Sequence, residues 1–337
     1  MINPQDISVV VQGALSGDTT RMCLSSIRKY LPEAEVVLST WDGSDVGGLD
    51  YDVLVLNEDP GFYPVGDNPG AGKNNVNRQI RTTLCGLQKA AGKYTLKLRS
   101  DFILSGGDFL QFYGRFPAAD PHYKIFECKI LSCVFFARNP RMPEPLLFHP
   151  SDIAFFGLRT DLLNLFSVPF MTKEESLYYK NGGYSYRRYT PEQHIWVNCL
   201  RKNGKEIDLD HQRSYSEKTV EDTEKYAVSN FIHLDWKEFN LIPPKHLAAF
   251  EGNDFVNVIT HIEWQRLFKY YVDQTIGVPT RDNLREQLKK MARAHDVCSF
   301  IARLATLCFR LRRFENFRRR AIKKIIRCLM KCACVPY

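Results

Sequence analysis

Long hydrophobic runs are missing from this sequence of 337 residues. No stretch approaches the roughly 18 uninterrupted apolar residues that a membrane-spanning helix needs. The first residues also lack a basic segment followed by an apolar one and a small-residue cleavage site, so we expect no secretory signal. With 44% hydrophobic and 25% charged residues, the composition is that of an ordinary globular protein. We therefore expect a chain that folds around its own core and is cytoplasmic.

Two kinds of motif are also missing. The ten cysteines are scattered through apolar segments and frame no loops, which indicates free thiols in a reducing compartment. Cys328, Cys332 and Cys334 have neither a nearby histidine nor a second cysteine pair, which argues against a zinc site. The sequence contains no Gly-x-x-x-x-Gly-Lys-Ser/Thr phosphate loop, which counts against a P-loop NTPase.

Positive charge is concentrated at one end of the chain. The net charge is +8, but residues 281–337 alone hold 16 Lys and Arg against 4 Asp and Glu. Apolar residues recur there every three or four positions, which predicts basic amphipathic helices. Such helices suit an anionic membrane surface, where each Lys or Arg contributes about 1 kcal/mol. A partner-binding helical surface is the alternative, and nucleic-acid binding is disfavoured because no recognised nucleic-acid-binding fold accompanies the tail.

The first part of the chain alternates short apolar strands with helices. Runs rich in β-branched residues end in polar or glycine positions over 7–13, 35–43 and 52–61. Apolar spacing predicts helices over 19–31 and 77–91. This order indicates a nucleotide-binding α/β half. The later predicted elements are a helix over 108–116, a strand over 123–137, a helix over 161–166 and a strand or strand–turn over 231–239.

One strand carries charges that a buried strand would not otherwise hold. The stretch Tyr94-Thr-Leu-Lys-Leu-Arg-Ser-Asp101 contains Lys97, Arg99 and Asp101, which period-2 alternation puts on one face. Ligands of open α/β sheets bind outside the carboxyl ends of the strands. Two cations and a carboxylate at such an end predict a site for a phosphorylated ligand, with or without a metal. A salt-bridged strand end is the alternative.

Polar residues at the neighbouring strand ends are further candidates for nucleotide binding. Gln12 and Gly13 end the first strand and would let a nucleotide approach the backbone closely. Thr40 and Asp42 follow the second strand, and Asp59 follows the third. The two aspartates would accept hydrogen bonds from a ribose hydroxyl or a base, or they cap turns.

The order of several short motifs points to one protein family. In chain order they are Val11-Gln12-Gly13, Leu38-Ser39-Thr40-Trp41-Asp42-Gly43, Asp59-Pro60-Gly61, Asn77-Arg78-Gln79-Ile80, Lys97-Leu98-Arg99-Ser100-Asp101, Pro150-Ser151-Asp152 and Pro191-Glu192-Gln193. From about residue 7 to residue 245 the sequence resembles the WavE family of lipopolysaccharide-synthesis proteins. The resemblance implies an α/β, GT-A-like (Rossmann-like) nucleotide-sugar-binding domain with a mixed sheet, and glycosyltransferase activity in building surface polysaccharide.

A glycosyltransferase must stabilise the negative charge that develops on a departing nucleoside diphosphate. Arg78, Lys97 and Arg99 are the candidate phosphate contacts, with Arg78 placed at a helix start. Asp101 is the candidate ligand for Mn²⁺ or Mg²⁺. The GT-A pattern usually has Asp-x-Asp, but here the first position is Arg99. The arginine would replace part of the metal's charge, so metal dependence stays open.

An inverting transfer also needs a base to take the proton of the acceptor hydroxyl, and whether the transfer is inverting or retaining stays open. Asp152 and Glu192 are the two candidates, and Glu192 is slightly favoured because it opens a helix beside a glycine- and tyrosine-rich loop. Alternatively, Glu192 only stabilises the helix start after Thr190 as N-cap and Pro191 at the first position. His233 is a weaker candidate for a metal or phosphate contact, because a histidine in an aromatic strand is more often simply packed.

Together, these patterns predict a GT-A-like glycosyltransferase domain over 1–250 and a basic helical region over 251–337. The expected reaction moves a sugar from a nucleotide-sugar donor to a lipopolysaccharide or capsule/cell-surface glycan. The expected partner on the acceptor side is a lipid-linked or lipopolysaccharide glycan at the inner face of the cytoplasmic membrane. No nucleic-acid partner is expected. Two other classes stay open: a catalytically inactive sugar-binding or scaffold protein of the same pathway, and a nucleotidyltransferase that consumes a nucleoside triphosphate.

Overall fold

The computed structural model describes residues 2–142, 145–243 and 258–278. The described residues up to 276 belong to one compact unit. The predicted basic tail from Arg281 and the predicted boundary between 250 and 251 lie outside the described residues, so both stay predictions. None of the helices in the described ranges has the length and apolar character to cross a membrane.

The described chain is a mixed α/β fold with thirteen strands and seven α-helices. The strands are β1 (Ile7–Gln12), β2 (Glu35–Trp41), β3 (Val53–Asn57), β4 (Tyr63–Pro64), β5 (Lys73–Asn74), β6 (Tyr94–Arg99), β7 (Ile103–Leu104), β8 (Ile130–Cys133), β9 (Ala154–Leu158), β10 (Tyr179–Asn181), β11 (Tyr184–Tyr186), β12 (Phe231–Leu234) and β13 (Leu241–Ile242). The helices are α1 (Gly17–Tyr30), α2 (Val76–Lys89), α3 (Arg159–Phe166), α4 (Lys173–Ser176), α5 (Pro191–Lys202), α6 (Glu217–Asn230) and α7 (His261–Tyr271).

Seven of these strands form one sheet in the order β12-β8-β9-β6-β1-β2-β3. The four strands β6, β1, β2 and β3 run parallel to one another. Strand β9 runs antiparallel to both β6 and β8, and β12 runs parallel to β8. The mixed sheet predicted for this chain is therefore confirmed, with a single strand of opposite direction near its centre.

The central strands are buried along their whole length. All six residues of β1 are buried, and so are the five middle residues of β2. Strands covered on both faces have continuous runs of β-branched and other apolar residues instead of an alternation of apolar and polar residues. The sequences of β1 and β2 have such runs. Helix α2 packs against β1, β2 and β3.

The predicted helices over 19–31 and 77–91 are confirmed as α1 and α2, and the helix over 161–166 is confirmed as α3. The strand predicted over 123–137 is wrong in extent, because only β8 forms. Before β8 the backbone amides bind side chains instead of a neighbouring strand. Glu127 N and Cys128 N donate to the Asp161 carboxylate, and Ile125 N donates to Asn230 Oδ1.

One other predicted element is shorter than expected, because the helix predicted over 108–116 is a single 3₁₀ segment, Asp108–Phe112. The strand–turn predicted over 231–239 is confirmed, since β12 ends at Leu234 and a turn follows over 236–240.

Two small hairpins lie outside the seven-stranded sheet. Strands β4 and β5 pair in one of them, and β10 and β11 pair in the other. An isolated bridge between Gly66 and Tyr186 joins the two hairpins, and Ser185 N donates to Asp67 Oδ1 at 2.5 Å. The first hairpin lies between the end of β3 and the start of α2, which puts it at the edge of the sheet where the parallel strands end.

We expect Gly86→Ala to destabilise the fold although alanine is the better helix former. A Cβ atom at Gly86 would meet Val10 Cγ1 at 2.4 Å and Ser39 Cβ at 3.1 Å, so α2 would have to move away from β1 and β2. Overpacking of this kind costs about 1–3 kcal/mol of unfolding free energy. Urea denaturation measures it.

Gly72→Ala is the matched control, because the nearest contact of its added Cβ would be Val65 Cγ2 at 3.9 Å. Its unfolding free energy should stay within about 0.5 kcal/mol of wild type. Equal midpoints for wild type and Gly86→Ala would show that the α2 packing is looser than described.

Candidate active site

The candidate residues meet at one edge of the sheet because of strand direction. The carboxyl ends of β1, β2, β3 and β6 all lie at this edge. Strand β9 runs the other way, so its amino end reaches the same edge, where Leu98 pairs with Ala154. Asp152, two residues before Ala154, is thereby placed beside the end of β6. From β1 the chain continues to β2 and β3 on one side, while β6 lies on the other, so β1 and β6 flank a switch point of the kind that binds ligands.

Gln12 and Gly13 stand at this switch point. Gly13 has a φ of +113°, and Gln12 O accepts a hydrogen bond from Ser100 N at 3.0 Å. The Gln12 side chain is buried, and its Oε1 accepts from Thr82 Oγ1 of α2 at 2.8 Å. The backbone of Gln12 and Gly13 is therefore near the switch point, while the Gln12 side chain is engaged in holding α2 to β1.

Thr40 and Asp42 lie at the end of β2. Thr40 is buried, with Oγ1 3.3 Å from Ser44 Oγ. The exposed Asp42 accepts a hydrogen bond from Gly43 N at 3.0 Å. Asp42 therefore caps its own turn, as the alternative interpretation predicts, and its exposed carboxylate still has acceptor capacity toward solvent.

Arg78 forms a two-pronged ion pair with Asp59. Arg78 Nε donates to Asp59 Oδ1 at 2.7 Å, and Nη2 donates to Oδ2. The guanidinium also lies near the rings of Trp41 and Phe62, 5.9 and 5.3 Å from their centroids. The hydrogen bond from Arg78 holds the pKa of Asp59 below its ordinary value. Asp59 Oδ1 also caps a turn by accepting from Gly61 N at 2.9 Å.

Arg99 and Asp101 form a second pair of the same kind. Arg99 Nε donates to Asp101 Oδ1 at 3.0 Å, and Nη2 donates to Oδ2 at 2.8 Å. The side chains are 38% and 26% exposed, so this pair is partly open to solvent at the sheet edge rather than enclosed in the core. Both Asp101 oxygens therefore already accept from a cation. Within the described ranges, no group of three or more His, Cys, Asp or Glu side chains is arranged to hold a metal ion.

Lys97 lies deeper than these pairs and is fully buried. Its Nζ donates to the main-chain oxygen of Asp152, which also accepts from Gln79 Nε2 at 3.2 Å. Burial lowers the pKa of Lys97 to about 7, although the charge of Asp152 opposes this shift. A direct phosphate contact would require Lys97 to leave this position. In the described conformation it supports the segment that carries Asp152.

Glu192 opens α5 but does not cap it. The capping box is formed by Thr190 and Gln193, with Gln193 N donating to Thr190 Oγ1 at 3.3 Å and Thr190 N donating to Gln193 Oε1 at 3.1 Å. Glu192 Oε2 instead lies 3.2 Å from His149 Nε2, and both side chains are largely buried. The helix start therefore leaves the Glu192 carboxylate available for another role.

The two candidate bases have opposite pKa shifts. Burial raises the pKa of Asp152, and the nearby charge of Glu192 raises it further, against Lys97, Arg99 and His149. Burial also acts to raise the pKa of Glu192, but the charge and hydrogen bond of His149 outweigh it and lower the value to about 2. Glu192 is therefore ionised at neutral pH, and Asp152 binds a proton more readily than an ordinary aspartate does.

Sequence reasoning missed three members of this cluster. They are His149, Arg187 and Gln79. His149 precedes Asp152 by three residues, and Gln79 is part of the Asn77-Arg78-Gln79-Ile80 motif, so both were visible in the sequence. No sequence pattern marked Arg187, because only the fold of β10 and β11 brings it near Glu192. Burial lowers the pKa of Arg187, and the charge of Glu192 opposes this shift. His233 is buried on β12 and touches none of the described charged pairs at the edge.

The WavE lipopolysaccharide synthesis family matches residues 7–294, which is most of the chain. The chain belongs to this family. The match runs further than the expected end near residue 245 and includes the first residues of the basic tail. The family's description places this WavE protein in lipopolysaccharide synthesis. No curated protein matches the chain.

We expect the effect of Lys97→Met on the unfolding free energy to depend on pH, because the substitution removes a buried ammonium group. Wild-type Lys97 binds its proton less tightly when folded, with a pKa of about 7 against an ordinary 10.5. The unfolded state therefore binds more protons between these values, and this contribution to wild-type stability rises with pH. The unfolding free energy of Lys97→Met relative to that of wild type should consequently decrease by about 2–3 kcal/mol from pH 6 to pH 9, as measured by urea denaturation.

Lys93→Met is the control, because Lys93 is exposed just before β6. Its difference from wild type should be small and the same at both pH values. A Lys97→Met difference that does not change between pH 6 and pH 9 would contradict a buried lysine with a lowered pKa.

Proposed function

We propose that this WavE protein is a glycosyltransferase with a GT-A-like domain, which moves a sugar from a nucleotide-sugar donor to a lipopolysaccharide or other cell-surface glycan. The observation that carries the proposal is the convergence of Arg78, Arg99, Asp101, Asp152 and Glu192 at the switch-point edge. Support comes also from the strand order β3-β2-β1-β6, which corresponds to the first four strands of a doubly wound nucleotide-binding sheet.

The donor diphosphate would lie between the two arginine pairs. Arg78 and Arg99 each hold an aspartate with two hydrogen bonds, a geometry that phosphate oxygens also satisfy. A diphosphate would compete for both guanidinium groups and would meet positive charge where its own charge develops. The nucleoside would lie along the ends of β1 and β2, against the backbone of Gln12 and Gly13 and the exposed Asp42.

A divalent cation, Mn²⁺ or Mg²⁺, would bind this site together with the phosphates of the donor. Magnesium is commonly held by one or two carboxylates together with substrate phosphates. Asp101 is the carboxylate that would hold it, and the ion would add Lewis-acid charge at the leaving group. Because both Asp101 oxygens accept from Arg99, binding of the ion competes with that pair. We propose that Arg99 supplies most of the positive charge that stabilises the leaving diphosphate and that the metal ion supplies less.

The base assigned by this proposal is Asp152 rather than Glu192. A general base is most effective when its pKa approaches the working pH, and the pKa of Asp152 is raised whereas that of Glu192 is about 2. Asp152 is half-buried at this edge, and Lys97 and Gln79 hold its main chain. Glu192 would accept a hydrogen bond from the acceptor and orient it.

We propose a lipid-linked or lipopolysaccharide glycan as the acceptor, on the basis of the family and of the basic tail. Such an acceptor would bring the enzyme to the inner face of the cytoplasmic membrane. The basic residues 281–337 would then bind the anionic membrane surface. No nucleic acid takes part in this function.

One observation favours the alternative of an inactive sugar-binding or scaffold protein. Both arginines at the edge are already neutralised by aspartates. A protein that never binds a diphosphate would keep those pairs permanently. Nucleotide binding therefore separates the two functions.

We expect a nucleoside diphosphate to raise the thermal midpoint of the purified full chain. A ligand at 100 times its Kd stabilises the folded state by about 2.7 kcal/mol, which is a shift of several degrees. The panel is UDP, GDP, CMP, ADP and ATP, with and without Mn²⁺. Arg99→Gln should reduce the shift at least threefold, because it removes the charge next to the diphosphate.

Arg28→Gln is the matched control. Arg28 also holds an aspartate, Asp52, with two hydrogen bonds, but at the end of α1 and the start of β3, which is the opposite edge of the sheet. Its nucleotide-induced shift should equal that of wild type. If no nucleotide shifts the wild-type midpoint, the scaffold function replaces the transferase. A shift seen only with ATP would favour a nucleotidyltransferase.

We expect Asp152→Asn to lower kcat by about 10²–10⁴-fold, the usual contribution of a general base. Its nucleotide-induced thermal shift should be retained, because Asp152 is not assigned to the donor. In wild type, kcat should fall as the pH decreases through the raised pKa of Asp152, since only the ionised carboxylate accepts a proton. Steady-state kinetics with the donor named by the thermal shifts measure both effects.

Asp18→Asn, on the exposed first turn of α1, is the control and should leave kcat unchanged. A larger loss of kcat in Glu192→Gln than in Asp152→Asn would exchange the roles of the two carboxylates.

A further inference from the structure

Two cations share one exposed aromatic ring at the first hairpin. Phe62 lies one residue before β4 and is 41% exposed. Lys73 Nζ of β5 lies 4.3 Å from the centroid of its ring, and Arg78 Cζ of α2 lies 5.3 Å from the same centroid. Both distances are in the range of a cation–π interaction. Three separate elements therefore bring two positive charges to one ring at the surface.

Backbone pairing fixes where Lys73 lies. In the hairpin, Lys73 pairs with Pro64, two residues after Phe62. Because side chains alternate along a strand, Phe62 and Lys73 form a diagonal cross-strand pair on one face. The next residue, Asn74, is buried, and its Oδ1 accepts from Val76 N at 3.2 Å. Lys73 is therefore held at the start of α2.

The two cations differ in how their charge is compensated. Arg78 donates two hydrogen bonds to the Asp59 carboxylate. Lys73 is exposed, and in the part of the chain that the structure describes its ammonium group forms neither an ion pair nor a hydrogen bond. A cation–π contact at an exposed site stabilises by only about 0.5–1 kcal/mol, and the two like charges repel each other. The hairpin thus presents a positive charge that no described carboxylate neutralises.

This charge borders the edge of the sheet where the candidate active site lies. Arg78 Cζ is also 5.9 Å from the ring of Trp41, the last residue of β2. At Arg78 and Arg99, an incoming anion competes with an aspartate for the guanidinium group. At Lys73 it meets an ammonium group and displaces no carboxylate. An anion can therefore bind Lys73 without first breaking an ion pair.

We propose that Phe62, Lys73 and Arg78 form a phosphate subsite on the first hairpin, in which the Lys73 ammonium binds a phosphate group of the donor nucleotide. Lysine binds phosphate as a compact point charge. Asp59 uses only two of the N–H donors of Arg78, so the others are available to the same phosphate. The identity of the ligand as a donor nucleotide rests on the proposed function, whereas the affinity for phosphate does not.

The test measures binding to the purified full chain by isothermal titration calorimetry, with inorganic pyrophosphate and with UDP, GDP and ADP. We expect Lys73→Gln to raise the Kd of pyrophosphate, and of whichever nucleoside diphosphate binds, by about five- to tenfold. This is the usual effect of losing one hydrogen bond to a charged group at an exposed site. Lys73→Arg should restore most of the affinity, because it returns the charge. Added NaCl should weaken binding more in wild type than in Lys73→Gln, since salt screens an exposed ion pair.

Lys89→Gln is the matched control. Lys89 is an exposed lysine in the last turn of α2, so its substitution removes the same charge from the same helix at the end away from the hairpin. Its Kd values should equal those of wild type. Both lysines are exposed, so both variants should fold with the unliganded thermal midpoint of wild type.

The outcomes separate this proposal from the proposed function. If a nucleoside diphosphate binds wild type and Lys73→Gln equally well, the subsite fails and the proposed function stands. If pyrophosphate binding requires Lys73 but no nucleoside diphosphate binds more tightly than pyrophosphate, the subsite stands and the nucleotide-dependent transferase fails. If neither pyrophosphate nor a nucleoside diphosphate binds wild type, both fail. An equal loss of affinity in Lys89→Gln would also overturn the subsite, because it would show an effect of net charge alone.

Discussion

The antiparallel pairing of β9 with β6 is the constraint on which the candidate site depends. It is the pairing that reverses the direction of the sheet, and it brings the start of one strand to the end of another. Lys97 of β6 lies opposite Phe155 of β9 in this register, close enough for its Nζ to reach the main chain of Asp152. Because side chains alternate between the two faces of a strand, a slip of one residue would turn Lys97 away and separate it from that segment.

The two arginine pairs explain how a sheet edge rich in charge stays folded. An unpaired guanidinium at a partly buried edge would lose part of its hydration without compensation. Asp59 and Asp101 provide that compensation with two hydrogen bonds each. The two aspartates also make anion binding selective, because only an anion that offers two oxygens in one plane replaces a carboxylate well in its pair with arginine. Carboxylate pairs of this kind favour phosphate over weaker, single-point anions.

Much of the fold could be predicted from local sequence, and the site only in part. Strands β1, β2 and β6 and helices α1 and α2 follow from apolar periodicity, since each is buried along a continuous run or one face. The late start of β8 could not be predicted, because the amides of residues 125, 127 and 128 bind Asp161 and Asn230, which are distant in sequence. The charged residues of β6 at the edge could be predicted from the sequence, as Arg99 and Asp101 show. The contact of Glu192 with His149 and the proximity of Arg187 to Glu192 could not, since they form only through the antiparallel strand and the second hairpin.

The buried ammonium of Lys97 couples this edge to the surrounding proton concentration. With a pKa of about 7, its charged and neutral forms are both populated at neutral pH. An anion that settles nearby favours the charged form, so its arrival draws a proton from the buffer. The heat of that binding event consequently includes the ionisation enthalpy of the buffer, and the affinity for the anion weakens as the solution becomes more alkaline. Under the proposed function, binding of the donor diphosphate at this edge would therefore be accompanied by uptake of protons from solvent.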